Sequence, residues 1–497
     1  MTAVPADEGD NLGRKAGRGV LHTLGGQWSR TLLLLVSTVV LARLLEPNEF
    51  GLLAMVTSVV GIADVLRDFG LTAAILQLKT ISDRLWSMLF WLSLTFGGIC
   101  MVLVAAASPL IAALYDEPRL VAITLILAPT LLLNGMMLPL QARLQRQLRF
   151  GVIAVLDVVS TAVGVSLAIV TALLGGGVAA LIVLNVAVVV TRLIGMFILA
   201  KAPIGRPKIG REVRPILRSS SNVLGSETLN YLVRNLDNVV VGRFAGPAVL
   251  GFYGRAYSLL LLPLTQINGP LSRVALPVLS SLQDDPERYR RYLTNAILVI
   301  SYSSVIVFAI AAAVADPLIY VFLGPGWSKS VFIFQLLAIA GVSRSLGTAL
   351  TWIYISLQRT GRQLIYDLVT KPFIIASFFF GMISGGVHGM ALAYGLTTLT
   401  LLIPGYYFAL RGTFVRISDV AVPFFRPILL APFMFAAALL AQLAVDLPPF
   451  VELMIGGFAG LVPGVLAYLL VPSVRRDLSV LGSFAGQLRK KRKPKSD

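Results

Sequence analysis

Charge is scarce in this sequence: only 13% of its 497 residues are Asp, Glu, Lys or Arg, against 57% hydrophobic. A soluble protein of this length does not have that balance, so the chain is predicted to sit in a bilayer. Cysteine is absent except for Cys100, which excludes an intrachain disulfide and a cysteine-based metal cluster. Two histidines, His22 and His388, are too few for a metal-and-base active site, and neither a metal nor a cofactor is expected. The chain lacks a charged-then-apolar leader ending in small residues, so no cleaved signal peptide is expected. Long polar stretches are missing too, which leaves no room for an extra-membrane domain.

What is present is a train of apolar runs, each about 20 residues long and able to cross a hydrocarbon core of roughly 30 Å. Fourteen are predicted, near 20–44, 50–70, 85–113, 120–143, 151–174, 178–200, 217–243, 248–280, 291–322, 331–357, 364–384, 387–410, 424–445 and 450–471. The fold class is therefore an all-α membrane protein.

Basic residues crowd alternate loops. Arg14, Lys15 and Arg18, then Arg143, Arg146 and Arg149, the connector from Lys201 to Arg218, Arg359 with Arg362, and the RKKRKPK tail all fall on one side. The positive-inside rule predicts that side, with both termini, to be cytoplasmic. The net charge of +18 then reads as a topology signal and an attraction to anionic membrane lipid, and no nucleic-acid partner is expected.

The chain also repeats itself. VVLARLLEPNEFG at 39–51 returns as VVVGRFAGPAVLG at 239–251, with Arg43/Arg243, Pro47/Pro247 and Gly51/Gly251 matched. SPLI at 108–111 answers DPLI at 316–319, LQR at 144–146 answers LQR at 357–359, and GGV at 176–178 answers GGV at 385–387. Six helices separate the copies, so both halves enter the membrane from the same side and are related by an axis along its normal. The expected layout is a cytoplasmic segment 1–19, an N-lobe 20–200, a basic connector 201–216, a C-lobe 217–411, two extra helices within 412–472 and a basic tail 473–497, with a cleft between the lobes.

Polar residues that share a helical face inside the bilayer mark what lines such a cleft. In helix 7, Glu227, Asn230, Arg234, Asp237 and Asn238 form one stripe at helical period. Gln27, Arg30, Ser37 and Thr38 repeat it in helix 1. In helix 8, Arg255, Ser258, Gln266 and Arg273 share a face, with Pro263 expected to kink the helix between them. A central Arg costs roughly 2.5–3.5 kcal/mol to insert, so each needs a reason. Arg234 has Asp237 at i+3 as a structural partner, and Asp64, Arg67 and Asp68 look self-neutralising. Arg30 and Arg255 have no acid at i±3 or i±4 and are assigned to an anionic ligand. Asp157 in helix 5, without a local lysine, is a candidate site for a coupling ion.

These residues also carry a resemblance that covers nearly the whole chain. WSR at 28–30, LARLLEPNEFG, RDFGLTAAILQ at 67–77, LQRQLRF at 144–150 and GFYGRAYSLLLLPL at 251–264 resemble the Wzx-type polysaccharide flippases of the multidrug/oligosaccharidyl-lipid/polysaccharide exporter superfamily. Ser29-Arg30 resembles a Ser-Arg pair of lipid II flippases. Tyr253-Gly254-Arg255 resembles their Tyr-x-x-Arg, with the spacing one residue short. The resemblance implies two six-helix lobes, two added helices and a cargo of polyprenyl chain, diphosphate and short glycan, moved across the cytoplasmic membrane without breaking a bond. Lipopolysaccharide-type biosynthesis is the expected setting, and an H+ or Na+ gradient the expected drive. The substrate-binding set expected is Arg30, Arg255, Arg234, Arg273, Gln27, Asn230, Asp237 and Gln266. A drug or cation antiporter of the same superfamily, and a membrane glycosyltransferase or polymerase, are the competing readings. The first would favour acidic and aromatic walls, and the second would need carboxylates on a long external loop.

Overall fold

A computed structural model describes the backbone of residues 6–68, 75, 81–201, 204–206, 214–444 and 447–477. Side chains at 6–24, 214–227, 229 and 230 lie outside the described set, and with them the predicted site residue Asn230 and its neighbour Glu227. Among the described residues there are fourteen long helices and no strand. They are α1 (Ala6–Leu44), α2 (Pro47–Asp68), α3 (Asp83–Ala106, continued by Ser108–Tyr115), α4 (Arg119–Arg146), α5 (Phe150–Leu173) and α6 (Val178–Ala200). A continuous helical stretch then divides at Gly246 into α7 (214–245) and α8 (247–281). The remainder are α9 (Pro286–Ala313, continued by Ala315–Phe322), α10 (Lys329–Ser356), α11 (360–384), α12 (387–410), α13 (Ser418–Leu443) and α14 (Pro449–Leu470). Most are long and apolar enough to cross a bilayer. Only Gly246 leaves helical dihedrals in that stretch, so Pro263, where a kink is expected, lies within helical backbone.

Local chemistry sets the ends. Ser82 caps α3 by accepting from Leu85 N–H at 3.2 Å, and Asp285 does the same for α9 from Arg288 N–H at 3.2 Å, followed by Pro286 at the first helical position. In the α3–α4 turn, the Arg119 guanidinium grips Glu117 with two 2.8 Å hydrogen bonds and holds that carboxyl below the usual carboxylate range. On α5, Val155, Val159, Val163, Leu167 and Val170 form an exposed apolar stripe, and on α6 Val190, Ile194 and Ile198 form another. Such stripes belong against lipid tails.

The duplication is visible in backbone geometry. α6 starts at Gly177 (φ 54, ψ −128) and α12 at Gly386 (φ 59, ψ −147), a region open essentially to glycine alone. α4 ends through Leu148 in the left-handed region (φ 55), with Arg149 N–H donating to the Leu144 carbonyl at 2.9 Å. α10 ends identically through Gln358 (φ 56), with Arg359 N–H donating to the Tyr354 carbonyl at 2.7 Å. Arg149 then reaches the Leu199 carbonyl at 2.9 Å, and Arg359 reaches that of Ala409 at 3.4 Å, each tying off the last turn of a neighbouring helix. This corrects the sequence alignment of the two LQR triplets: the partner of Arg359 is Arg149 rather than Arg146, because the shared turn, not the shared tripeptide, sets the register.

Residues divide into two compact units, 1–251 and 252–497, so α7 groups with the six helices before it. Two contacts in the first unit account for this. Tyr231 of α7 donates to the Thr57 carbonyl of α2 at 3.0 Å, over Gly61, where any Cβ would strike the tyrosine. At the α1–α2 and α7–α8 turns the repeated Pro-x-x-x-Gly segments interlock: a Cβ on Gly51 would collide with the Pro247 carbonyl, and one on Gly251 with the Pro47 carbonyl. Each of the two matching turns thus meets the other through the same pair of positions. The glycines allow the Cα–H to meet the opposing carbonyl directly.

In the second unit, the end of α13 nearest the basic turns is pinned by Arg290, whose fork reaches Asp419 at 2.7 and 3.0 Å. The segment after α14 is held by buried Asp477, which accepts from Arg426 at 3.0 and 3.1 Å and from Tyr302 at 3.2 Å. Asp477→Asn should lower the melting temperature of the detergent-solubilised protein more than Asp285→Asn, because Asp477 is buried with two donors to satisfy while Asp285 sits at an exposed helix start. Equal shifts in a fluorescence melting series would count against that role.

Candidate functional site

In the first unit, α1 is pressed against α5 at Gly26, whose missing side chain is replaced by Ala154. One turn beyond Gly26 comes Arg30, and three residues beyond Ala154 comes Asp157. Asp157 projects where α6 presents Arg192. Arg192 Nε approaches Asp157 Oδ1 to 2.8 Å, and its Nη2 donates to Gln141 Oε1 of α4 at 3.4 Å. The Nε–H is aimed off the carboxylate oxygen, so neither atom of that closest approach makes a hydrogen bond and the attraction is Coulombic. Arg30 lies within Coulombic reach of Arg192, and among the described residues it forms no ion pair. Arg192 thus has a carboxylate, Asp157, as its ion-pair partner and a second guanidinium, Arg30, within Coulombic reach. Asp157 and Arg192 point away from the lipid-facing stripes of their helices, each about a fifth exposed.

The other predicted residues of this unit are spread out. Gln27 of α1 and Arg234 of α7 are exposed; Arg234 lies within Coulombic reach of Tyr231, as does Asp64. Asp64 pairs with Arg67 at 3.3 Å, the self-neutralising arrangement expected. Asp237 is only 4% exposed and accepts from the Asn238 backbone N–H at 2.8 Å.

The second unit holds Arg255, Gln266 and Arg273 on α8. Arg255 is half-buried, the other two exposed. Along α8 runs a polar seam to α10. Tyr253 stacks on Tyr257 at 6.0 Å, Arg344 donates to the Tyr257 hydroxyl, Asn268 donates to Thr348 at 3.1 Å, and Trp352 donates to Ser272 at 2.9 Å. A cavity of about 590 Å³ among α9, α10, α12 and α13, lined by Phe308, Phe332, Ile339, Leu399 and Phe435, is almost wholly apolar and has no arginine in its lining.

Sequence reading missed Arg192, Gln141, Arg344 and Tyr257. The signal was available for the two arginines, since each is a lone charge in an apolar span. Neither belongs to a stripe of charged residues on its own helix.

Fold and site define a multi-span helical membrane protein built from a duplicated six-helix unit with two added helices and arginines inside its spans. The chain belongs to the family described as "Polysaccharide biosynthesis protein", whose model matches residues 40–332. It is 27% identical over 434 residues to the lipopolysaccharide biosynthesis protein WzxC of Escherichia coli (strain K12), covering 82% of this chain and 85% of that protein. Its fold is shared with a lipid II flippase, MurJ, in an inward closed conformation (TM-score 0.69, 14% identity, 90% of this chain and 99% of that one). It is also similar to a multidrug resistance MATE family transporter in an inward-facing conformation (TM-score 0.60, 17% identity, 76% and 93%).

Proposed function

We propose that this protein is a transporter, not an enzyme, and that it moves a polyprenyl-diphosphate-linked oligosaccharide from the inner to the outer leaflet of a bacterial cytoplasmic membrane for cell-surface polysaccharide assembly. The observation that carries this reading is the pairing of Arg192 with Asp157 within the membrane spans, with Arg30 of α1 within Coulombic reach as a second guanidinium. A diphosphate loses its hydration on entering such a site, and guanidinium forks replace it with charge-assisted hydrogen bonds. Membership of a polysaccharide biosynthesis family supports a glycan cargo.

The cycle is alternating access through a cationic cleft, with both termini cytoplasmic and the Pro47–Gly51/Pro247–Gly251 interlock acting as the outer gate. An H+ or Na+ gradient drives it, with Asp157 the candidate coupling carboxylate and the membrane potential worth about 2.3 kcal/mol per charge per 100 mV. Reporters should read cytoplasmic when fused after Lys495 and external when placed in the 175–177 loop; a cytoplasmic signal at the second site would overturn the topology.

The direct test uses proteoliposomes containing a fluorescent polyprenyl-diphosphate glycan and a quencher confined to one side. Protein-dependent loss of the protected fraction is the expected result. Flux of an organic cation with no movement of the lipid-linked sugar would replace this reading with cation antiport.

A further inference from the structure

Asp157 and Arg192 lie at matching depths on adjacent helices. Asp157 is seven residues into α5 and Arg192 eight residues before the end of α6, so each is about 10–12 Å from the end of its span nearest Arg149. A structural tie at this depth needs equal and opposite charges. Here Arg30 adds a second positive charge with no described ion-pair partner, and the Arg192–Asp157 contact is close but misaligned. Arg192 also has a neutral acceptor, Gln141, that steadies one edge of its fork.

We propose that Arg192 is a second anion-binding arginine, masked by Asp157 while the site is empty and uncovered when a diphosphate displaces that carboxylate. This rests on the reading of the protein as a carrier of a diphosphate-linked lipid and extends it to residues outside the α1 and α8 stripes. The exchange is favourable because a carboxylate brings one charge and a misdirected contact, whereas a diphosphate brings at least two charges and enough oxygens to satisfy the forks of Arg30 and Arg192 together. Asp157 also makes the exchange reversible. It competes for Arg192 and lets the cargo leave, so the cluster favours turnover over the tightest binding.

Farnesyl diphosphate binding to purified, folded full-length protein tests this, read by calorimetry alongside flipping in proteoliposomes. Asp157→Asn should tighten farnesyl diphosphate binding by about tenfold while slowing transport, because the competitor is gone. Arg192→Gln should weaken binding by about tenfold. In the Arg192→Gln background Asp157→Asn should have no further effect, since there is no fork left to unmask. Farnesol, lacking the diphosphate, should bind all four proteins alike. Weaker or unchanged diphosphate binding by folded Asp157→Asn protein, or additive effects of the two changes, would overturn the masking role. Absence of diphosphate binding by the wild-type protein would instead remove the functional reading on which it stands.

Discussion

Alanine in place of Gly51 or Gly251 should open the outer gate and cut transport sharply, with both changes together abolishing it. Each added Cβ would meet a backbone carbonyl, Pro247 or Pro47, and a carbonyl at the start of a helix cannot swing aside as a flexible side chain does. The turns must separate. Overpacking of this kind costs about 1–3 kcal/mol or more. Placed on the closed state alone, that lowers its population about five- to 150-fold relative to the open one. The substitutions should spare folding, because the collision lies at one end of the helices and an outward-open state relieves it. Spin labels at positions 48 and 248, in a Cys100→Ser background, check this by their separation. Wild-type protein should give one short distance and Gly51→Ala a longer population. A single short distance in folded Gly51→Ala protein, with normal flipping, would show that the interlock is not a gate. Gly254→Ala is the control: nothing lies where its Cβ would go, so it should behave as wild type.

Much of this was legible in the sequence, and the limits have physical causes. Fourteen spans follow from hydropathy because a bilayer imposes one length on every crossing. The repeat follows from residues such as Pro47/Pro247 and Gly51/Gly251, yet nothing in the chain states that the two copies touch each other. That contact depends on symmetry about an axis, which a linear alignment does not display. Asp157 stood out as a lone carboxylate, but its partner comes from the next helix, and pairings across helices leave no i+3 or i+4 signature. The LQR triplets misled by three residues because identity of letters carries less weight than the left-handed turn at Leu148 and Gln358. The break between α7 and α8 falls at Gly246, where the positive φ of 81° favours glycine.

Replacing Arg30 or Arg255 should separate a diphosphate ligand from a structural tie, because the three substitutions Lys, Ala and Glu rank differently under the two. If guanidinium forks hold the diphosphate, Lys keeps the charge but loses the paired geometry, and partial transport should remain. Alanine should lose about ten- to hundredfold, the value of one or two charge-assisted hydrogen bonds. Glutamate should fall below detection, since its carboxylate repels the cargo in a region where water screens poorly. Arg30 is exposed and forms no ion pair among the described residues, so Arg30→Ala should leave the yield of folded protein unchanged. Arg255 is half-buried, and there the yield has to be measured with the transport. The quantity compared is the flipping rate per folded molecule in proteoliposomes. A ranking of Arg, Lys, Ala and Glu at both positions supports a ligand contact. Equal rates for wild-type, Arg30→Ala and Arg30→Glu proteins would remove α1 from the binding site, and loss of folded protein in step with transport at position 255 would make that arginine a packing residue of α8.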